Sequence, residues 1–113
     1  MLLGEYQKAA HRTSLKTTYG DGDVASLIYP TLKLAGEAGE FAEKVGKLLR
    51  DKAGRISDED RAALAGELGD VMWYVAEVAT VLELDLDEVG RRNIEKLSSR
   101  AERGVIQGSG DDR

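Results

Sequence analysis

The chain carries almost the same octapeptide twice. Residues 34–41 read LAGEAGEF and residues 64–71 read LAGELGDV, identical at five of eight positions. Each copy holds an acid, two spacers and a second acid: Glu37 with Glu40, then Glu67 with Asp70. Residues three apart on a helix share a face, so each copy predicts a carboxylate pair. At about 100° per residue, with Leu34 at zero, Ala38, Phe41, Val45 and Leu48 fall within about 40° of it, while Glu37 and Glu40 lie about 60° and 120° to one side. Leu64, Leu68, Val71, Val75, Val78 and Leu82 form a matching stripe, and Glu67 and Asp70 take the same two offsets from it. Two helices packed antiparallel through these stripes would bring the four acids together. Half-buried carboxylates held that close repel one another unless a cation neutralises them.

An acid pair on a helix is by itself a weak signal, because acids are common on solvated faces. Here the pairs are flanked by Gly36, Gly39, Gly66 and Gly69, each costing about 1 kcal/mol relative to alanine inside a helix. Glycines at such a cost predict that a backbone or a ligand comes close, or that two helices cross tightly. Neither pair has a basic partner at its own spacing. Glu43 reads as an exposed i,i+4 partner of Lys47, and Glu77 and Glu83 read as surface residues.

The rest of the chain limits the architecture. Its 113 residues make one domain. It has no cysteine, which excludes disulfides and thiolate metal sites. No stretch approaches the 18 or so apolar residues of a membrane span, and the first residues lack the pattern of a secretory signal. A cytoplasmic protein without a membrane partner is expected. The net charge of −5 opposes binding to duplex nucleic acid, where phosphate neutralisation dominates, but leaves room for a small phosphate ligand beside a cation.

Four helices are predicted. The first covers residues 3–17 and is followed by the turn-rich TYGDGD. The second starts between Ser26 and Tyr29, with Pro30 in its first turn, and runs to Arg50. The third opens on a capping box at Ser57 to Asp60 and reaches Glu83. The fourth opens at Asp85 and ends near Arg103. With one phenylalanine and one tryptophan, strand signals are weak, so an all-α, four-helix bundle-like fold is expected over residues 1–103. Residues 104–113 form a glycine-rich tail without helical period, read as loop. Trp73 falls about 180° from the apolar stripe of its helix, which predicts a second contact surface, a subunit interface. Tyr6, Tyr29 and Tyr74 read as core or interface groups.

Four carboxylates without histidine favour hard cations: magnesium, manganese or calcium. A redox di-iron bundle uses Glu-x-x-His on two helices, and the sole histidine, His11, stands in no such pair; it reads as a surface or interface residue. Magnesium takes phosphate oxygens among its ligands, so basic groups are expected nearby. Asn93, Lys96 and Arg100, three and four residues apart, share a face of the fourth helix, and Arg103 continues the row. Basic residues near a helix C-terminus also complement its dipole.

In combination, the Glu-x-x-Glu helix, the 26 residues from 41 to 66, the Glu-x-x-Asp helix and Asn-x-x-Lys-x-x-x-Arg resemble the MazG-type all-α nucleoside triphosphate pyrophosphohydrolases. The segments LAGEAGEFAEKVGKLL, GELGDVMWYVA and NIEKLSSR carry the likeness over about residues 6–103. The tail RGVIQGSGDDR looks like that of short, single-domain MazG-like proteins. The resemblance implies magnesium-dependent hydrolysis of a (deoxy)nucleoside triphosphate to its monophosphate and pyrophosphate, with manganese able to replace magnesium. It implies that Glu37, Glu40, Glu67 and Asp70 hold the metal, that Lys96 and Arg100 contact phosphates with Asn93 in support, and that the protein is a homodimer or homotetramer. Gly66 and Ala38 stand where many relatives carry further acids. The alternatives are a magnesium-dependent hydrolase of a related phosphoribosyl pyrophosphate compound and a non-catalytic helical interaction module.

Overall fold

The computed structural model describes residues 1–15 and 23–113. Among them are four helices and no strand: α1 (Leu3–His11), α2 (Val24–Lys52), α3 (Asp58–Val81) and α4 (Leu86–Arg103). The expected all-α architecture is present, and among the described residues no helix is long and apolar enough to cross a membrane. The end of the first predicted helix and most of TYGDGD lie outside the described residues.

Local chemistry sets the helix ends. Ser57 Oγ accepts from the Asp60 N–H at 3.0 Å and Asp60 Oδ2 accepts from the Ser57 N–H at 3.0 Å, so the expected capping box forms. Lys52, at the end of α2, adds an ion pair to Asp60 at 2.8 Å across the connection. These contacts hold the Asp60 carboxyl down at about 2. Ala53 and Gly54 turn the chain with φ of 53° and 76°. Asp85 caps α4 by accepting from the Asp87 N–H at 2.9 Å.

Two boundaries differ from expectation. Helix α1 ends at His11, because Thr13 turns back: its N–H and its hydroxyl both donate to the Ala10 carbonyl, at 2.9 and 2.7 Å. Side-chain bonds of this kind compete with helix continuation. Helix α2 begins at Val24 rather than between Ser26 and Tyr29, so Pro30 lies inside it. Proline cannot donate to the carbonyl four residues back, here that of Ser26; both residues are buried in the first turns of the helix.

Helices α2 and α3 form a long antiparallel pair. Lys44 reaches Glu67 at 3.5 Å and Lys52 reaches Asp60, so residue numbers across the pair sum to nearly the same value, as antiparallel register requires. The short α1 packs on the other side of α3, and α4 is joined mainly through α1. There a Cβ on Gly4 would meet Asp87 Oδ2 at 2.7 Å and one on Gly90 would meet Leu3 Cδ1 at 3.1 Å, so glycine permits the crossing. The buried apolar cluster is Ala10, Ala76, Ala79 and Leu86, with Tyr6 and Trp73 against it. Trp73 therefore faces α1 within the same chain, where its indole N–H donates to Thr13 Oγ1 at 2.9 Å. The predicted second surface of α3 exists, and α1 covers it.

Glu77 also departs from its surface assignment. It is fully buried, with Oε1 3.2 Å from His11 Nδ1. Gln7 fastens the same layer: its amide donates to Leu84 O at 2.8 Å and to Thr80 Oγ1 at 3.2 Å, and its carbonyl accepts from the Leu86 N–H at 2.9 Å. One side chain thus links α1, the end of α3 and the first turn of α4. Gln7→Ala should lower stability by about 2 kcal/mol, given roughly 1 kcal/mol per net hydrogen bond with partial rehydration. Urea unfolding followed by circular dichroism measures this.

Candidate metal centre

The antiparallel register brings three of the four predicted acids together. One carboxylate oxygen from each of Glu37, Glu67 and Asp70 lies within 4.8 Å of the others. Glu37 and Glu67 are partly buried and Asp70 is exposed. Glu40, one turn on from Glu37, is exposed and stands beside the cluster rather than in it. It still acts on Glu37. Burial raises the Glu37 carboxyl, and the charges of Glu40 and Asp70 raise it further.

Two lysines missed by the pair-spacing argument moderate this repulsion. Lys33 Nζ lies 3.8 Å from Glu37 Oε1, and Lys44 Nζ lies 3.5 Å from Glu67 Oε1. Lys33 was legible in the sequence, one helical turn before Glu37. The Lys44 contact needed the register of α2 on α3. Each lysine meets Oε1 of its glutamate. The second oxygens, Glu37 Oε2 and Glu67 Oε2, are buried and have no hydrogen-bond partner among the described residues. Buried acceptors are normally satisfied, and two unsatisfied carboxylate oxygens beside a third acid form an all-oxygen donor set suited to a hard divalent cation.

A cleft of about 360 Å³ opens beside the acids, lined by Glu37, Asp70, Trp73 and Tyr74. The Trp73 and Tyr74 rings meet edge to face with centroids 4.8 Å apart, and Lys33 Nζ lies 6.0 Å from the Tyr74 ring centroid. Tyr6 closes on the site from α1. Burial raises its phenol, and the charge of Asp70 raises it further.

The family relationship now has its geometric setting. The MazG nucleotide pyrophosphohydrolase domain matches residues 29–105, a span that contains all four acids and the basic row of α4. The chain belongs to the MazG nucleotide pyrophosphohydrolase family. It is also 55% identical over 109 residues, 96% of each chain, to the Gene 37 protein of Mycobacterium phage L5, whose name states no chemistry. No solved structure matches.

For a MazG domain, the basic row has an unexpected setting. Asn93 and Lys96 line a separate groove of about 440 Å³ with Leu84, Glu88, Arg92 and Asp111. Arg100 is buried, and its guanidinium donates to the backbone and side chain of Asp111. Within one chain, then, neither Asn93, Lys96 nor Arg100 lines the cleft beside the acids. The glycines next to the acids also differ from the tight-crossing expectation. A Cβ on Gly36, Gly39, Gly66 or Gly69 would meet no heavy atom of the described residues within 4 Å. The expected Glu43–Lys47 pair is present at 3.5 Å.

Because burial and neighbouring acids hold Glu37 above its normal range, its ionisation opposes folding as pH rises through that raised value. Glu37→Gln should therefore raise the melting temperature of the metal-free protein at neutral pH. It should also shrink the stabilisation gained from added magnesium or manganese, since a ligand that binds only the folded state stabilises it. Differential scanning calorimetry with and without a chelator reads both effects.

Proposed function

We propose that this protein hydrolyses a (deoxy)nucleoside triphosphate to the monophosphate and pyrophosphate, with magnesium as its cofactor and manganese able to replace it. The observation that carries this reading is the convergence of Glu37, Glu67 and Asp70, one carboxylate oxygen of each within 4.8 Å of the others, with Oε2 of both glutamates buried and unpartnered, in a chain of the MazG family. Glu37, Glu67 and Asp70 would hold the cation, with Glu40 at its rim. When bound, such a cation neutralises phosphate charge and acidifies a water.

The remaining roles fall to the chain itself. Glu40 is exposed and adjacent to Glu37, so it is the acid best placed to accept a proton from the attacking water or to orient it. The edge-to-face rings of Trp73 and Tyr74 wall the same cleft and offer an apolar surface to the nucleoside. Lys96 contacts the phosphates through its ammonium, supported by Asn93, while Arg100 adds positive charge to the same helix face. Such preplaced charge favours the leaving pyrophosphate. The cellular pool of triphosphates places this activity in the cytoplasm. Asp70→Asn should reduce kcat by at least about 100-fold, a loss typical of removing a metal-bound carboxylate's charge, with helix content unchanged. A pyrophosphate-release assay with circular dichroism measures this, and turnover like that of the parent protein would remove the metal assignment.

The functional unit in this reading is a homo-oligomer, at least a dimer. The chain exposes 8174 Å², against about 6,100 Å² for a compact monomer of its mass. Its radius of gyration is 17.0 Å, against about 13 Å for a compact domain of this length. Leu68, Met72 and Val75 on α3 and Val45 and Leu49 on α2 remain exposed, more apolar surface than a lone domain usually presents. A second copy covering this face could bring the basic row of one chain to the acids of another. At substrate concentrations where Asp70→Asn and Lys96→Ala chains are each impaired, mixing the two should then restore part of the activity, through hybrid sites that carry neither change. Sedimentation equilibrium on the same mixture reports the size.

A further inference from the structure

Residues 104–113 form a loop of turns and bends folded back on α4. Gly104 ends the helix with φ of 70°. The Val105 N–H donates to Arg100 O at 2.9 Å, and the Gly108 N–H donates to Val105 O at 3.2 Å. The Arg113 side chain then closes the loop on itself. Its guanidinium donates to Val105 O at 3.0 Å, to Ile106 O at 3.0 Å and to Gly110 O, and Arg103 donates to Arg113 O at 2.6 Å. Two glycines fit this path. A Cβ on Gly108 would lie 2.5 Å from Arg113 Cδ, and Gly110 has φ of 82°.

The closed loop places Asp111 over the basic row of α4. Asp111 Oδ1 accepts from Lys96 Nζ at 2.9 Å and from Arg100 Nη2 at 3.0 Å, and its backbone carbonyl accepts from the same Nη2 at 2.6 Å. Arg100 is 5% exposed, so Asp111 supplies the countercharge for a buried guanidinium; Lys96 remains 38% exposed at the groove. An ammonium has three N–H donors, and Asp111 engages one of those on Lys96.

We propose that Asp111 is a positioning residue, held by the Arg113-closed tail, that fixes the Lys96 ammonium for contact with the substrate's phosphates. The inference rests on the phosphate-binding role given to Lys96 above. A lysine stem rotates freely in solution, and ordering it before the substrate arrives removes that cost from binding. One carboxylate between two cations leaves Lys96, Arg100 and Asp111 with one net positive charge, and the nearby Glu88 is itself paired with Arg92 at 2.7 Å. The opposite reading, in which the tail carboxylate stands in for a phosphate and must be expelled, conflicts with the many bonds that close the tail and with the free donors left on Lys96.

The test compares Asp111→Asn, Asp111→Glu, Arg113→Ala, Lys96→Ala and the double variant Asp111→Asn/Lys96→Ala in the 113-residue chain. Steady-state pyrophosphate release separates KM from kcat, calorimetric titration with inorganic pyrophosphate reads phosphate binding without turnover, and circular dichroism confirms folding. Asp111→Asn should raise KM and weaken pyrophosphate binding about tenfold, the scale of one charge-assisted contact, with kcat nearly unchanged. Arg113→Ala, which opens the loop without touching either partner, should do the same, and Asp111→Glu should recover most of the loss. On the Lys96→Ala background Asp111→Asn should add little, because both changes remove one interaction. Tighter binding in Asp111→Asn, unchanged binding, or a full additional loss on the Lys96→Ala background would each overturn the inference. Lys96→Ala with unaltered KM and pyrophosphate binding would instead overturn the role of Lys96 on which it rests.

Discussion

The antiparallel contact of α2 with α3 is the constraint on which the site depends. It brings Glu37 against Glu67 and Asp70, although 29 or more residues separate them along the chain. Three acids in that position oppose folding through mutual repulsion and lost hydration. The chain moderates this with Lys33 and Lys44, each beside one oxygen of a glutamate. It leaves the other oxygen of each glutamate buried and unpaired. Satisfying these oxygens through the protein alone would give a more stable pair of helices and a poorer site for a cation. Stability withheld at the point of ligand binding is common at functional sites.

Helix α1 solves a second problem. Helix α3 carries apolar residues on two sides, and α2 covers only one of them. The nine residues of α1 cover the other, through Ala10, Tyr6 and the Trp73 indole, and Gln7 ties the corner into α4. The His11–Glu77 contact sits in the same layer. A buried carboxylate without a partner would be strongly destabilising, so His11 makes the burial of Glu77 tolerable.

Much of this was legible in the sequence, and the exceptions have physical reasons. The capping box at Ser57, the cap at Asp85 and the apolar periods located α3 and α4, since these are local signals. Asp60 and Ser57 satisfy each other within one turn. Glu77 was misread because pair-spacing rules look for a partner on the same helix, and His11 comes from another. A two-turn step from Asp70 would have shown that Glu77 continues its face. Trp73 was correctly placed away from the apolar stripe, yet its partner was assigned to another subunit because nothing local reveals where a short first helix will pack. The tail lacks a helical period, so only its glycines and the terminal Arg113 hinted at a closed loop.

The sequence by itself determined the secondary structure, the acid pairs and the basic row, because each is set by residue spacing within one helix. The absence of cysteine and of paired histidines also carried the expectation of a hard cation. Tertiary structure decided which acids share a centre: Glu37, Glu67 and Asp70 converge while Glu40 stays at the rim. It also decided that Arg100 is buried beneath Asp111 rather than open to the groove. Both outcomes depend on the register and packing of segments far apart in the chain, which spacing along a single helix does not encode.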